Sequence, residues 1–155
     1  MTETPMQAAV AEARRGLRSG EGGPFGAVIT RDGVIIARAH NQVVGSNDPT
    51  AHAEVQAIRA ACRALGTFDL SGCEIWSTCE PCPMCFAAIH WARLDRLAYG
   101  ATREDAAAVG FDDARIYREL DGREAPPFAV AADVERDACR ALMSEWRDDA
   151  SRVPY

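Results

Sequence analysis

Three residues able to hold a soft cation are spaced so that the fold has to bring them together. His52-Ala53-Glu54 gives an H-x-E, and Pro81-Cys82-Pro83-Met84-Cys85 gives a P-C-x-x-C further along. Cysteines three apart fall on one face of a helix start. A helix N-terminus carries partial positive charge and favours thiolate over thiol. Zn²⁺ takes four tetrahedral donors, and a catalytic site draws three from protein and leaves one corner to water, whose pKa the metal lowers. His52, Cys82 and Cys85 are therefore the expected ligands of one zinc per subunit, with His52 at a second helix start after Asp48-Pro49-Thr50. Glu54 lies on a different face of that helix. Its carboxylate can take a proton from water and hand it to a substrate nitrogen, which makes it the expected catalytic residue. A structural zinc knuckle or a redox Cys-x-x-Cys is the competing reading, but a single histidine beside the pair gives three ligands, which suits an open site.

The remaining cysteines, Cys62, Cys73, Cys79 and Cys139, sit in apolar contexts and read as buried free thiols rather than a disulfide framework. A chain of 155 residues fits one domain, residues 1–155. Its net charge of −6 argues against a nucleic-acid partner, which needs a basic face. No signal pattern opens the sequence and no apolar run reaches the roughly 20 residues of a membrane span, so a cytoplasmic location is expected.

Apolar periodicity predicts a helix over residues 4–19, with Met6, Val10, Ala13 and Leu17 on its buried face. Phe25–Thr30 and Val34–Ala39 read as strands joined through Asp32-Gly33, a hairpin signal. Asn41 is either a turn residue or an amide aimed at a ligand. Thr50 or Asp48 can cap a helix over 51–65, whose expected stripe is Val55, Ile58, Cys62 and Leu65. A strand over Glu74–Thr78, a helix from the second ligand pair to about Arg93 and a strand over Arg96–Tyr99 imply parallel pairing, so the sheet is mixed with helices on both faces. Thr102–Val109 and Ile116–Leu120 read as short helices. Between them, Asp112 and Asp113 form an exposed turn, or one of the two carboxylates lines the pocket. Phe128–Val130 is a candidate fifth strand. Glu135–Ala150 is a last helix with Ala138, Leu142, Met143 and Trp146 inward, and Ser151–Tyr155 is a tail. Cys79, Glu80 and His90 read as supporting or packing residues.

The H-x-E and P-C-x-x-C pair is the signature of zinc-dependent base and nucleoside deaminases. The likeness extends to Gly22-Gly23-Pro24-Phe25-Gly26-Ala27-Val28, Ser46–Glu54, Cys79–Cys85, Ile89-His90-Trp91-Ala92-Arg93 and Gly110-Phe111-Asp112-Asp113. In these segments the chain resembles the bacterial guanine deaminases of the cytidine deaminase fold. The resemblance implies a three-layer α/β/α sandwich around a five-stranded mixed sheet. It also implies a homodimer in which the C-terminal segment crosses over to cover the partner's active site. Carried over residue by residue, it implies that Asn41, Ala53, Trp91, Asp113 and Tyr155 contact a purine and that Phe25 packs on its ring. The tail Arg152-Val153-Pro154-Tyr155 departs from the lysine-rich ends of that family.

The implied reaction is hydrolytic deamination of guanine to xanthine and ammonia. Water attacks C2 while Glu54 moves its proton to a ring nitrogen and then to the departing amine. A carboxylate such as Asp113 suits the paired N–H donors of guanine. Guanosine or an amino-triazine is the rival substrate. More distant rivals are a tRNA adenosine deaminase, which needs a basic surface, and a zinc-stabilised interaction module without catalysis.

Overall fold

The computed structural model describes residues 2–155. Helix α1 (Pro5–Ser19) starts where Thr4 and Gln7 cap each other, each side chain accepting the other's backbone N–H, with Pro5 entering the first turn. Strands β1 (Gly26–Arg31) and β2 (Val34–His40) form the expected hairpin. Asp32 and Gly33 both adopt positive φ, 51° and 77°, as a two-residue primed turn requires. One helical turn, α2 (Val43–Ser46), precedes α3 (Ala53–Leu65), β3 (Cys73–Cys79), α4 (Pro83–Trp91) and β4 (Arg96–Ala101). Helices α5 (Arg103–Ala108), α6 (Ala114–Leu120) and α7 (Arg136–Asp148) complete the chain.

The sheet runs β2-β1-β3-β4; β1 is antiparallel to both neighbours, and β3 and β4 are parallel across α4. Helix α1 packs on the face carrying Val28, Ile35 and Trp76. Helices α3 and α4 cover the other face, where Ala27, Ile29, Ala37, Ala39 and Ile75 meet Ala53, Ala57, Ala61, Ile89 and Ala92. The mixed sheet between helical layers is as expected, but its strand count is not. Four strands form instead of five, because Phe128–Val130 is exposed and unpaired. That short run follows Pro126-Pro127, which offer no N–H to a ladder.

Both helical faces differ from the expected stripes. On α1 the buried residues are Ala8, Ala9, Glu12, Ala13 and Gly16, while Met6 and Val10 are half-buried and Leu17 is exposed. On α3 they are Ala53, Glu54, Ala57 and Ala61, and Val55, Ile58, Cys62 and Leu65 are only half-buried. A helix lying directly on a sheet needs small side chains along its line of contact, so the bulky apolar residues fill the margins. The expected cap of α3 is also absent. Asp48 accepts the Thr50 N–H and hydroxyl at 2.8 and 2.6 Å, closing its own turn, and His52 takes the cap position.

The last helix is the largest departure. Leu142, Met143 and Trp146, expected inward with Ala138, are 66%, 71% and 48% exposed, and Ala138 and Cys139 are exposed as well. Their spacing makes one apolar face on α7, yet the body of the chain does not cover it.

Candidate metal and substrate site

The two ligand motifs converge because each opens a helix at the same end of the sheet. His52 is the N-cap of α3 and Cys82 the N-cap of α4; both are extended and neither caps with its side chain. Ser, Thr, Asp or Asn is preferred there, by about 1 kcal/mol over residues that cannot cap. Here the cap position is given to a donor aimed outward instead. His52 Nδ1 lies 3.6 Å from Cys82 Sγ and 3.5 Å from Cys85 Sγ, and all three donor atoms lie within 4.8 Å of one another. Nitrogen and sulfur bound tetrahedrally at usual zinc distances stand about 3.6 Å apart. The donor set therefore fits zinc in both chemistry and spacing. The fit is electrostatic too. Hydrogen bonds from Cys85 and His52 pull the Cys82 thiol down to about 4, against its burial. Cys85, hydrogen-bonded to that thiolate and buried, holds its proton until a cation displaces it.

Glu54, in the first turn of α3, is 6% exposed, and Ser77 Oγ donates to its Oε1 at 3.2 Å. Burial raises its pKa, and the neighbouring Cys82 charge adds to the rise. Ser77 was missed in the sequence. Its signal was there: β3 turns residues 73, 75, 77 and 79 inward, and a serine in that row is a buried polar group in need of a partner.

The two aspartates divide the alternatives between them. Asp112 accepts the Ala114 N–H at 2.9 Å and serves the turn. Asp113 is half-buried, its pKa raised by burial and then by the charge of Cys82. Phe25 is half-buried and meets Phe111 edge-on, ring centroids 4.9 Å apart, a pairing that the sequence did not reveal. Asn41 is buried, and its Oδ1 accepts the Val43 N–H at 3.0 Å. That bond fixes the orientation of the amide, and among the described residues no acceptor takes its amino group. Ala53 keeps its methyl in the core, so only its backbone, in the first turn of α3, can serve a ligand.

Two expected contacts lie elsewhere in the single chain. Trp91 ends α4, 71% exposed, while Cys85, Ile89 and Ala92 form the inward face. Tyr155 is 75% exposed and sits with Trp91 in a groove on the outer side of α4, lined also by Phe86, His90 and Leu94, its ring 6.3 Å from that of Phe68. His90 thus belongs to that outer surface. Burial pushes the Cys79 thiol up to about 11, and it donates to Thr102 O; Glu80 accepts the Arg103 N–H at 3.0 Å. Both are packing and tethering residues.

Comparison with known proteins agrees with this geometry. The family model of the cytidine and deoxycytidylate deaminase zinc-binding region matches residues 1–101. Guanine deaminase of Bacillus subtilis is 47% identical over 99% of this chain and 98% of its own length. Its X-ray structure superposes with a TM-score of 0.89 over 100% of this chain and 99% of that one. A guanine deaminase structure from Nitrosomonas europaea matches at a TM-score of 0.69 and 34% identity, covering 94% of this chain and 84% of that one. A tRNA-specific adenosine deaminase of Bacillus subtilis is 43% identical over 93% of this chain and 87% of its own length. A ligand triad at two helix starts, a buried carboxyl beside it and an end-to-end likeness converge: the chain belongs to the zinc-dependent cytidine and deoxycytidylate deaminase family, among the bacterial guanine deaminases.

Proposed function

We propose that the chain hydrolyses guanine to xanthine and ammonia. The observation that carries the reading is the buried Glu54 carboxyl, raised in pKa, set beside three donors at zinc-ligand spacing. His52, Cys82 and Cys85 would hold zinc, which would make a proton of the attacking water easier to remove. Glu54 takes that proton as the water oxygen bonds to C2. It delivers the proton to a ring nitrogen beside C2, which neutralises the charge developing there. It then takes the second proton from the oxygen now on C2 and passes it to the 2-amino group; the C2–N bond breaks, ammonia leaves and C2 is left as a carbonyl. A carboxyl with a raised pKa suits a group that must both take and return a proton. The Ser77 hydroxyl holds Glu54 in line.

Recognition follows from the donor pattern of guanine. Asp113 accepts from N1–H and the 2-amino group; Asn41 donates its free amino group to an acceptor on the opposite edge; Phe25 stacks on the ring; and the backbone at Ala53 closes the floor. Trp91 and Tyr155 complete the site in a homodimer whose C-terminal segments exchange. What supports this is the apolar face of α7, which the single chain leaves wet. Unpaired cysteines and the lack, among the described residues, of a helix long and apolar enough to cross a membrane support action in the cytoplasm.

The test is ammonia release from guanine, guanosine, adenosine and cytosine, with zinc content measured on the same preparation. Guanine is expected to be turned over fastest. Faster turnover of guanosine overturns the substrate assignment, and tight, salt-sensitive RNA binding revives the tRNA reading.

A further inference from the structure

An ionic cluster centred on buried His40 and Glu12 lies apart from the metal set, beneath the turn that carries Asn41. His40 ends β2 and is 6% exposed. Its Nδ1 lies 2.8 Å from Glu12 Oε1, and its Nε2 meets Glu21 Oε2. Arg15 donates to the same Glu12 oxygen at 2.6 Å. Glu21 also accepts from Ser19 Oγ at 2.9 Å and from Gln42 Nε2 at 3.4 Å. Each ring nitrogen of His40 thus meets a different carboxylate, so the imidazole links Glu12 of α1 to Glu21 of the following loop.

The cluster grips the turn through the backbone as well. The Glu21 carbonyl accepts the N–H groups of Val44 and Gly45 at 3.0 and 2.8 Å. There is no slack around it: a methyl added at Gly16 would lie 2.5 Å from His40 Cδ2, and one at Gly22 would lie 2.1 Å from Asn41 Oδ1. Asn41 itself follows His40 and is tied by its N–H to Phe25 O at 3.0 Å. Burying several charges to join a strand end to a helix is expensive where apolar contact would serve. What the charges add is direction, since each donor fixes one acceptor.

We propose that Glu21, acting through His40 and the 41–45 turn, is a positioning residue for purine recognition, holding the Asn41 amide so that its amino group faces the bound ring. The proposal rests on the guanine reading given above. Neither Glu21 nor His40 touches substrate, so the clamp governs how well the ring is held rather than how fast Glu54 moves protons.

The experiment is steady-state kinetics on zinc-replete Glu21→Ala, Glu21→Gln, Asn41→Ala and the double variant Glu21→Ala/Asn41→Ala. Zinc content and melting temperature are measured alongside. The Glu21 side chain is 35% exposed, so its truncation spares the fold, whereas removing His40 would strand the buried Glu12. Glu21→Ala is expected to raise KM for guanine about tenfold with kcat within about twofold. Glu21→Gln, whose carbonyl still accepts from the ring, is expected to recover most of that loss. In the Asn41→Ala background Glu21→Ala is expected to cost nothing further, because residues acting as one unit are non-additive. Equal penalties in both backgrounds, or an unchanged KM in Glu21→Ala, overturn the clamp while leaving the guanine assignment intact. A zinc-loaded wild type that is inert to guanine overturns the guanine assignment, and the clamp falls with it.

Discussion

The first hundred residues and the last fifty behave as different kinds of polypeptide. Every fully buried residue lies at or before Ala92, and the segment matched by the deaminase family model ends at residue 101. Beyond it no described residue is buried, although Leu142, Met143, Trp146 and Tyr155 are as apolar as anything in the core. Hydrophobic stabilisation scales with area removed from water, about 1.5–3 kcal/mol for each large side chain fully covered. The N-terminal part therefore holds itself together and carries the metal set and Glu54. The C-terminal part carries Asp113 and the tail, and leaves its apolar side chains without cover from the chain itself. The proposed roles divide accordingly: proton transfer lies wholly in the self-sufficient region, while recognition draws on both, Asn41 and Phe25 from the first and Asp113 and Tyr155 from the second.

The sharpest way to separate the two is Glu54→Gln. It should lower kcat by about 10² to 10⁴ while zinc content and the melting temperature of the zinc-loaded protein stay unchanged. Loss of zinc in that variant would mean that Glu54 supports the metal rather than the proton transfer. Asp113→Ala should lower kcat/KM for guanine by about 10- to 100-fold, the cost of leaving a pair of buried donors unmatched. Unchanged guanine kinetics would move recognition back into the N-terminal part.

A smaller signal addresses company directly. Glu54→Gln mixed with Tyr155→Ala, each with its activity impaired alone, should regain about a quarter of wild-type activity after re-association, since half of the dimers then carry one intact site. No recovery on mixing would place the tail over its own chain's site.

The smallest effect is one of stability. Burial raises the folded pKa of Glu54 above its unfolded value, so as pH rises the unfolded chain gives up this proton first. The folded state is penalised from there upward. In metal-stripped protein, Glu54→Gln should therefore raise the melting temperature at about pH 7 and leave it unchanged at about pH 4. An equal shift at both values would trace the gain to packing.

The elements were legible where a local signal exists. The Asp32-Gly33 turn and the ligand pair opening α4 follow from short-range backbone chemistry, and each is found. The failures share one cause. Periodicity in α1, α3 and α7 locates the apolar residues without naming the surface that will cover them, so Leu17 and Trp146 were placed inside and Ala57 and Ala61 were passed over. The fifth strand failed for a related reason: a few apolar residues are compatible with a ladder, but pairing needs a neighbour and free N–H groups, and Pro126-Pro127 precede them. The His40 clamp was invisible because its carboxylates, Glu12 and Glu21, come from α1 and the loop behind it, and nothing local links either to the end of β2.

By itself the sequence pointed to the metal and to a candidate proton carrier. Zinc demands particular atoms, and His52, Cys82 and Cys85 offer them in a spacing tied to helix starts, with Glu54 two residues past the first of them. Tertiary structure alone decided that Asp112 closes its own turn while Asp113 stays free of it, that Ser77 donates to Glu54, and that His40 joins Glu12 and Glu21 beside Asn41. Those outcomes depend on which groups are buried together, and burial belongs to the assembled fold rather than to any stretch of chain.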